Sequence, residues 1–294
     1  MSWSAMSTGD PFALISPLRD EASTLGSTLA SVLAQSRRPA RWVLVDDGST
    51  DATREIATRA AERHGFIRVL ALPDRGFRQP GPGVVRAFQA GLAAIEELDW
   101  RYVGKLDGDV VLPGRYYEML IEAFEADPRL GIASGVCLAP RGRGYRREPN
   151  APFHTRGPCK VYRRACFEDI GGLEPVLGWD GLDGYRARMR GWRTRSLPGL
   201  EVLHLRPTHG RDGWLGGARA GRGAYVLHYR PDYLLARAAL ACLRPPYLLG
   251  GLGMALGYLG CHLRRVPRPA DPELAAYVHR EQGLRLRGLL RRRP

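Results

Sequence analysis

Short apolar runs alternate with amphipathic stretches over residues 12–205. Runs such as FALIS (12–16) and WVLVD (42–46) have the length of buried strands. Between them Leu25, Leu29 and Val32 recur at spacings of four and three, which is the period of an amphipathic helix. This alternation of strands and helices predicts an α/β fold with a mainly parallel sheet flanked by helices.

The same pattern continues to the end of this region. Residues 139–157 are polar, basic and rich in glycine and proline, so we expect a mobile loop there. Further strands are predicted at 67–71, 102–106, 131–138, 159–163 and 200–205.

Charged clusters follow three of the predicted strands: Arg19-Asp20-Glu21, Asp46-Asp47 and Asp107-Gly108-Asp109. Ligands of parallel α/β sheets bind beyond the carboxyl ends of the strands, so the clusters are expected to converge on one pocket. Asp107 and Asp109 point the same way from an extended chain. An Asp-Gly-Asp is often only a turn, but its place after a strand favours a cation. Carboxylate oxygens suit Mg²⁺ or Mn²⁺, which also bind diphosphate oxygens.

The positive charge is unevenly distributed. The chain has 44 basic and 30 acidic residues, a net charge of +14, yet residues 1–110 hold 13 basic and 14 acidic groups. An electrostatic partner should therefore meet the later part, and phosphorylated small molecules, anionic lipids and nucleic acid are candidates. The five cysteines include no C-x-x-C pair, and the N-terminus has no signal-peptide pattern. We therefore expect reduced thiols and a cytoplasmic location.

Several enzyme classes lack their motifs in this sequence. No G-x-G-x-x-G follows the first strand, which disfavours a dinucleotide-binding oxidoreductase. No G-x-x-x-x-G-K-[ST] and no G-x-S-x-G is present, which disfavours P-loop phosphoryl transfer and an α/β-hydrolase.

Three segments resemble family 2 glycosyltransferases, which adopt the GT-A fold. The segment ALISPLRDEASTLGSTLASVLAQSRRPARWVLVDDGSTDAT resembles the opening of that family, and VDDGSTD (45–51) is its strongest signature. Asp107-x-Asp109 matches the family's D-x-D, and GWDGLDGYRARMRGWRT (178–194) resembles its later acidic segment. The resemblance covers residues 11–210, which implies a GT-A catalytic domain. Residues 211–294 then form a helical, basic and apolar C-terminal extension.

The resemblance implies transfer of a sugar from a nucleotide-sugar donor to a saccharide or lipid-linked acceptor, with inversion. It places Pro17, Leu18 and Arg19 against the nucleoside, and Glu21 at the end of that loop. Asp47 is expected to hydrogen-bond the nucleobase. Four residues are expected to contact the ribose, the diphosphate or the metal: Lys105, Asp107, Asp109 and His204. Of these, Asp107, Asp109 and His204 are the expected metal ligands.

The general base stays open between two residues. Asp180 is the first choice and Asp183 the second. The family's usual Glu-Asp pair appears in this chain as Trp179-Asp180, so the pattern alone does not select one of them.

Residues 245–263 contain no Asp, Glu, Lys or Arg, and Arg264, Arg265 and Arg268 follow them. The run is close to the length of a membrane span, about 20 residues, but its glycines dilute its hydrophobicity. Two interpretations remain: a helix lying on an anionic membrane surface, or a glycine-rich hairpin buried against the domain. The first predicts an enzyme peripheral to the inner face of the cell membrane.

Two rival functions remain. A sugar nucleotidyltransferase also needs a cation and a nucleotide pocket, but Pro17-Leu18-Arg19 is not the Gly-rich loop that such enzymes carry after the first strand. A non-catalytic basic protein on a membrane or on nucleic acid would suit the clustered arginines. No nucleic-acid-binding motif is present, so we expect no nucleic acid partner.

Overall fold

The structure is a computed structural model that describes residues 11–142, 144–148, 150–206, 213–243 and 247–291. Nine strands and ten helices occur within these residues. The strands are β1 (Phe12–Leu18), β2 (Arg41–Asp46), β3 (Ile67–Ala71), β4 (Tyr102–Leu106), β5 (Val110–Val111), β6 (Leu130–Arg141), β7 (Gly144–Arg147), β8 (Cys159–Arg163) and β9 (Arg193–His204). The helices are α1 (Leu25–Leu33), α2 (Thr53–Arg63), α3 (Pro82–Ala93), α4 (Tyr116–Ala126), α5 (Arg164–Asp169), α6 (Trp179–Met189), α7 (Gly213–Val226), α8 (Pro231–Cys242), α9 (Leu249–Leu263) and α10 (Pro272–Arg291).

The strands form one sheet in the order β3-β2-β1-β4-β8-β6-β9-β5, with β7 paired to β6. The β3-β2-β1-β4 half is parallel throughout. β8 then enters antiparallel to both β4 and β6, and β9 is parallel to β6. The α/β prediction is confirmed, and each predicted strand is present.

The predicted mobile loop at 139–157 is wrong in its first part. β6 runs on to Arg141 and forms a hairpin with β7, in which Leu138 pairs with Arg147 and Pro140 with Tyr145. All four residues of β7 are exposed, so no apolar pattern marks the strand. Its backbone pairing alone holds it on the sheet, and hydropathy does not reveal such an edge strand.

Alternate residues of the strands face opposite sides of the sheet. From β1, Phe12 and Leu14 pack with side chains of α1, α2 and α4. Ala13 and Ile15 pack with side chains of α3, α5 and α6 on the other side. The sheet is therefore covered on both faces, and its ligand-accessible positions lie at the strand ends.

Two of the C-terminal helices, α7 and α9, pack closely against each other. α7 and α9 touch backbone to backbone through glycines: a Cβ on Gly221 would lie 2.0 Å from the carbonyl oxygen of Met254, and one on Gly257 would lie 2.3 Å from that of Ala218. Among the described residues, no helix combines the length and the apolar character that crossing a bilayer requires. The predicted domain boundary at 210/211, like residues 245 and 246 of the uncharged run, lies outside the described residues.

One face of α9 is only partly covered by the rest of the described chain. Five leucines spaced three and four residues apart form a stripe, which we call the leucine face: Leu249, Leu252, Leu256, Leu259 and Leu263, each 47% to 72% exposed. The opposite face carries the glycines that contact α7 and α8. Helix α9 is therefore not part of a fully buried hairpin, because one of its faces stays half-exposed.

Candidate active site

The charged clusters meet at one edge of the sheet. β1 lies between β2 and β4 and is parallel to both, so the three carboxyl ends open to the same side. A cavity of about 230 Å³ lies there, which we call the inner cavity. It is lined by Pro17, Leu18, Arg19, Glu21, Asp47, Arg75, Arg78, Gln79, Pro80, Val84, Asp107, Asp109, His204 and Arg206.

β5 brings His204 beside Asp109, because Val110 pairs with His204 across the antiparallel β5–β9 ladder. His204 Nε2 lies 3.3 Å from Asp109 Oδ2. Arg206 Nε donates a hydrogen bond of 2.8 Å to the same oxygen, and the guanidinium also pairs with Glu21. Asp109 therefore faces two basic groups on one side of the inner cavity.

These contacts set the protonation of the site. Burial alone would raise the pKa of Asp109, but the hydrogen bond and charge of His204 and the charge of Arg206 outweigh it and lower the pKa to about 2. Burial opposes protonation of His204, and the neighbouring Asp109 carboxylate outweighs it, so the pKa of His204 is raised. Burial raises the pKa of Glu21 although Arg206 opposes the shift. At neutral pH Asp109 is ionised.

Asp107 and Asp47 are likewise paired with cations. The ammonium of Lys105, a residue only 2% exposed, contacts the Asp107 carboxylate. Arg75 holds both carboxylate oxygens of Asp47. Arg19 donates a 2.6 Å hydrogen bond to the backbone oxygen of Asp47. These contacts fix the two carboxylates in place at the wall of the inner cavity.

The donor atoms around Asp109 fit a divalent cation that is shared with a bound substrate. Within the part of the chain that the structure describes, no three His, Cys, Asp or Glu side chains are grouped to hold a metal by themselves. Mg²⁺ is commonly bound by one or two carboxylates together with substrate phosphates and water. The ionised Asp109 and the half-buried Asp107 suit such a shared site rather than a closed cage. His204, beside Asp109, would join them only as a neutral imidazole.

A second space, the middle cavity, adjoins the inner one. Its volume is about 220 Å³, and it shares Val84 and Asp107 with the inner cavity. It is lined by Gly81, Val84, Lys105, Asp107, Gly157, Pro158, Leu177, Gly178, Trp179 and Asp180. Asp107, which directly follows β4, and Asp180 of α6 thus border one space.

Asp180 also borders a third and larger space of about 550 Å³, the outer cavity. Burial raises the pKa of Asp180, but the charges of Lys160, His154, Arg156 and Lys105 outweigh it and the pKa is lowered. The carboxylate is therefore ionised at neutral pH, in the first turn of α6, where a negative charge is also stabilised by the helix dipole.

Asp183 lies in a different environment from Asp180. It is 3% exposed, and Lys160 Nζ donates to its two oxygens at 2.8 and 2.7 Å. The hydroxyl of Tyr162 donates to Asp183 Oδ2 at 2.5 Å. Asp183 is not among the described residues that line the three cavities. The Asp183 carboxylate therefore forms a buried ion pair with Lys160.

Three arginines of the inner cavity were missed by the sequence reasoning. Arg206 lies two residues after His204, and the two-residue period of an extended chain could have indicated it. Arg75 and Arg78 lie in the Gly/Pro-rich loop after β3. The one sequence feature that could have indicated them as site residues is their position beyond the end of a predicted strand. Arg78 pairs with Glu21 at 3.3 Å. Each of the three arginines contacts a carboxylate of the cavity wall.

Comparison with known proteins identifies the family. The sequence profile described as Glycosyl transferase family 2 matches residues 13–173, more than half of the chain. The chain belongs to glycosyltransferase family 2. The match spans β1 to the residues after α5, and so includes the inner cavity's Asp47, Asp107 and Asp109.

Two curated relatives and one solved structure show how far the likeness extends. The poly-beta-1,6-N-acetyl-D-glucosamine synthase of Staphylococcus aureus (strain COL) is 30% identical over 116 residues, which are 40% of this chain and 26% of the relative. The O-antigen biosynthesis protein RfbC of Myxococcus xanthus is 30% identical over 226 residues, which are 72% of this chain and 16% of the relative. The chain thus spans about a quarter or less of the length of these relatives.

The structural likeness extends over the whole chain. The mannosyltransferase PcManGT from Pyrobaculum calidifontis, solved with GDP-Man and Mn²⁺, has a TM-score of 0.56 at 19% identity and covers 100% of this chain and 80% of its own. The predicted GT-A fold is confirmed.

Trp179, which directly precedes Asp180, packs beside two buried lysines. The side chain of Trp179 is 7% exposed. The ammonium groups of Lys105 and Lys160 lie 5.2 and 5.5 Å from the centre of its ring. An aromatic face attracts cations at such distances. Both ammonium groups therefore lie within cation–π range of Trp179, next to Asp180.

Proposed function

We propose that this chain transfers a sugar from a nucleoside-diphosphate sugar to a hydroxyl of a saccharide or lipid-linked acceptor, with inversion. The observation that carries the proposal is the position of Asp180. It lies between the middle cavity, which it shares with Asp107, and the open outer cavity. An ionised carboxylate is thereby placed between a nucleotide-type pocket and a space that an acceptor can enter.

The inner cavity is assigned to the nucleotide part of the donor. Pro17, Leu18 and Arg19 line it at the end of β1, together with Glu21. The Asp47 carboxylate accepts a hydrogen bond from the nucleobase. Arg75 contacts both oxygens of that carboxylate and so fixes its orientation. The solved relative PcManGT contains GDP-Man, which supports a nucleotide-sugar donor for this chain.

Asp107, Asp109 and His204 would hold Mg²⁺ or Mn²⁺, which supplies positive charge to the leaving diphosphate when it is bound. The Mn²⁺ of PcManGT supports this assignment. Lys105, at the wall of the middle cavity, adds a positive charge near the leaving diphosphate.

The reaction then needs one proton acceptor. The acceptor hydroxyl attacks the anomeric carbon from the side opposite the diphosphate, so the new C–O bond forms as the bond to the diphosphate breaks. Asp180 takes the hydroxyl proton, a contribution of about 10²–10⁴ in rate. Asp183 is assigned no proton transfer, because Lys160 and Tyr162 occupy its oxygens.

The relatives support a place in polysaccharide or glycolipid synthesis. These relatives are a poly-beta-1,6-N-acetyl-D-glucosamine synthase and an O-antigen biosynthesis protein. Family membership also favours sugar transfer over the nucleotidyltransferase and the non-catalytic alternatives.

The leucine face supports work at a membrane surface. Its five half-exposed leucines lie on α9, directly before the basic residues Arg264, Arg265 and Arg268. An apolar helix face flanked by arginines is typical of a helix that lies in the interface of an anionic bilayer. We place this chain at the inner face of the cell membrane, with α9 lying on the membrane surface.

The test is a screen of nucleotide-sugar donors with the unaltered chain. Release of nucleoside diphosphate is measured with Mn²⁺, with Mg²⁺ and after EDTA treatment. We expect one donor class to be turned over only when a divalent cation is present. Asp109→Asn, which keeps the shape but removes the charge, should abolish that turnover in a folded protein. Absence of release from every donor, or full activity after EDTA, would overturn the proposal or its metal requirement, respectively.

A further inference from the structure

The outer cavity is large, positively charged and partly aromatic. It lies beyond Asp180, between the α6 end of the catalytic domain and helices α7, α8 and α9. Its arginines come from five separate positions in the chain: Arg156, Arg188, Arg219, Arg237 and Arg285. Asp180 is the one carboxylate among the described residues that line it.

The arginines are not fully neutralised by the protein. Glu148 pairs with Arg156, and Glu281 pairs with both Arg188 and Arg285. Together with Asp180 this makes three carboxylates against the four guanidinium groups of Arg156, Arg188, Arg237 and Arg285. The cavity therefore keeps a net positive charge, which attracts an anionic ligand.

Arg237 is the arginine best placed to meet such a ligand. It is exposed, and its Nη1 donates to the hydroxyl of Tyr229 at 3.2 Å, a neutral partner. Its guanidinium also lies 5.7 Å from the centre of the Tyr229 ring. An anion can therefore pair with Arg237 without first breaking an ion pair described in the structure. The planar guanidinium suits both phosphate and carboxylate.

The aromatic side chains of the outer cavity suit a sugar. Phe153, Tyr185, Tyr229 and Tyr233 line it together with the arginines. Flat apolar rings with a polar edge can pack against sugar rings and hydrogen-bond their hydroxyls. Asp180 lies at the inner end of this space and would receive the acceptor hydroxyl.

We propose that the outer cavity is the acceptor site and that the acceptor is an anionic glycoside, whose phosphate or carboxylate group pairs with Arg237. The inference rests on the proposed sugar transfer and goes further by naming the charge of the acceptor. A lipid-linked diphosphate sugar and a uronic-acid oligosaccharide share this chemistry.

Calorimetric titration of the full chain with three probes tests the inference. Farnesyl diphosphate represents a lipid diphosphate, a hyaluronan tetrasaccharide represents a uronic-acid saccharide, and cellotetraose is the neutral comparison. At least one anionic probe should bind about tenfold or more tightly than cellotetraose. Which of the two binds then tells the lipid source from the saccharide source.

Arg237→Gln should weaken binding of that anionic probe about tenfold, the effect of losing one charge-assisted hydrogen bond. The matched control is Arg280→Gln on α10. Arg280 is also exposed and lies 5.5 Å from the centre of a tyrosine ring, that of Tyr277, but it is not among the residues lining the outer cavity. The control variant should bind as the unaltered chain does.

Three results would overturn the inference: no binding of either anion, cellotetraose binding as tightly as the anions, or an anion affinity unchanged by Arg237→Gln. The last would place the anion elsewhere, for example in the inner cavity. Release of nucleoside diphosphate by the unaltered chain with water as the only acceptor of the sugar tests donor cleavage, and thereby the proposed function, independently of the anionic probes. Failure of that function is therefore distinguishable from failure of this inference.

Discussion

Replacing two leucines of the leucine face by serine tests whether α9 lies on a membrane. Leu252 and Leu256 occupy the middle of the stripe and are 50% and 51% exposed. Their other halves already pack on protein, so insertion into a bilayer would bury the remaining half of each side chain. The variant Leu252→Ser/Leu256→Ser leaves the glycine contacts between α7 and α9 in place.

The structure sets the size of the expected effect. Full burial of a leucine side chain is worth about 1.5–3 kcal/mol, so half-burial is worth about 1 kcal/mol. The whole leucine face then contributes about 5 kcal/mol to membrane binding, and the two substitutions remove about 2 kcal/mol. That loss corresponds to a partition coefficient about 30-fold lower.

The assay is co-sedimentation of the full chain with liposomes of anionic lipid over a range of lipid concentrations. The control is Met119→Ser on α4, an exposed apolar residue outside the leucine face. It should bind as the unaltered chain does. Salt at 1 M should weaken binding further, because the Debye length falls to about 3 Å and the arginines are screened. An unchanged partition coefficient for the double variant would refute the membrane assignment of this face.

Two further predictions concern stability. Burial lowers the pKa of His154 to about 4, although the charge of Asp180 opposes the shift. Because the unfolded chain takes up this proton more readily, the contribution of His154 to stability is fully present above pH 6.5 and is lost as the pH falls toward 4. The loss amounts to about 3 kcal/mol. Denaturant unfolding from pH 7 to 4 should therefore show a smaller acid loss in His154→Gln, and parallel curves would contradict it. Gly221→Ala should lower the melting temperature, because its Cβ would meet the Met254 carbonyl oxygen at 2.0 Å, whereas Gly223→Ala, with nothing within 4 Å, is the control; equal melting temperatures would show that α7 and α9 do not pack as described.

The parallel half of the sheet could be predicted because its strands are buried on both faces. Trp42, Val43, Leu44 and Val45 in β2 are all fully buried, so the strand appears in the sequence as one apolar run. The convergence of Asp47 and Asp107 was predictable for the same reason, since parallel strands bring their carboxyl ends to one edge.

The rest depended on partners far apart in the sequence. Arg206 pairs with Glu21 across 185 positions, and no local pattern indicates that contact. Asp183 and Asp180 look equivalent in the sequence. Only the fold shows that the Asp183 carboxylate is paired with the ammonium of Lys160. The site residues of one sheet edge were thus accessible to sequence reasoning, whereas the counter-ions that fix them were not.

The role of Asp180 is the central claim, and comparison of two asparagine variants tests it most directly. The rate of nucleoside diphosphate release is measured at saturating donor for Asp180→Asn and Asp183→Asn, with the free energy of unfolding measured beside it. We predict that Asp180→Asn folds, binds donor normally and loses about 10²–10⁴ in kcat. Asp183→Asn removes the carboxylate that neutralises the buried Lys160 and should instead lose about 3–5 kcal/mol of stability. A folded Asp180→Asn with unchanged kcat, or a stable Asp183→Asn that shows the loss of kcat, would contradict the account.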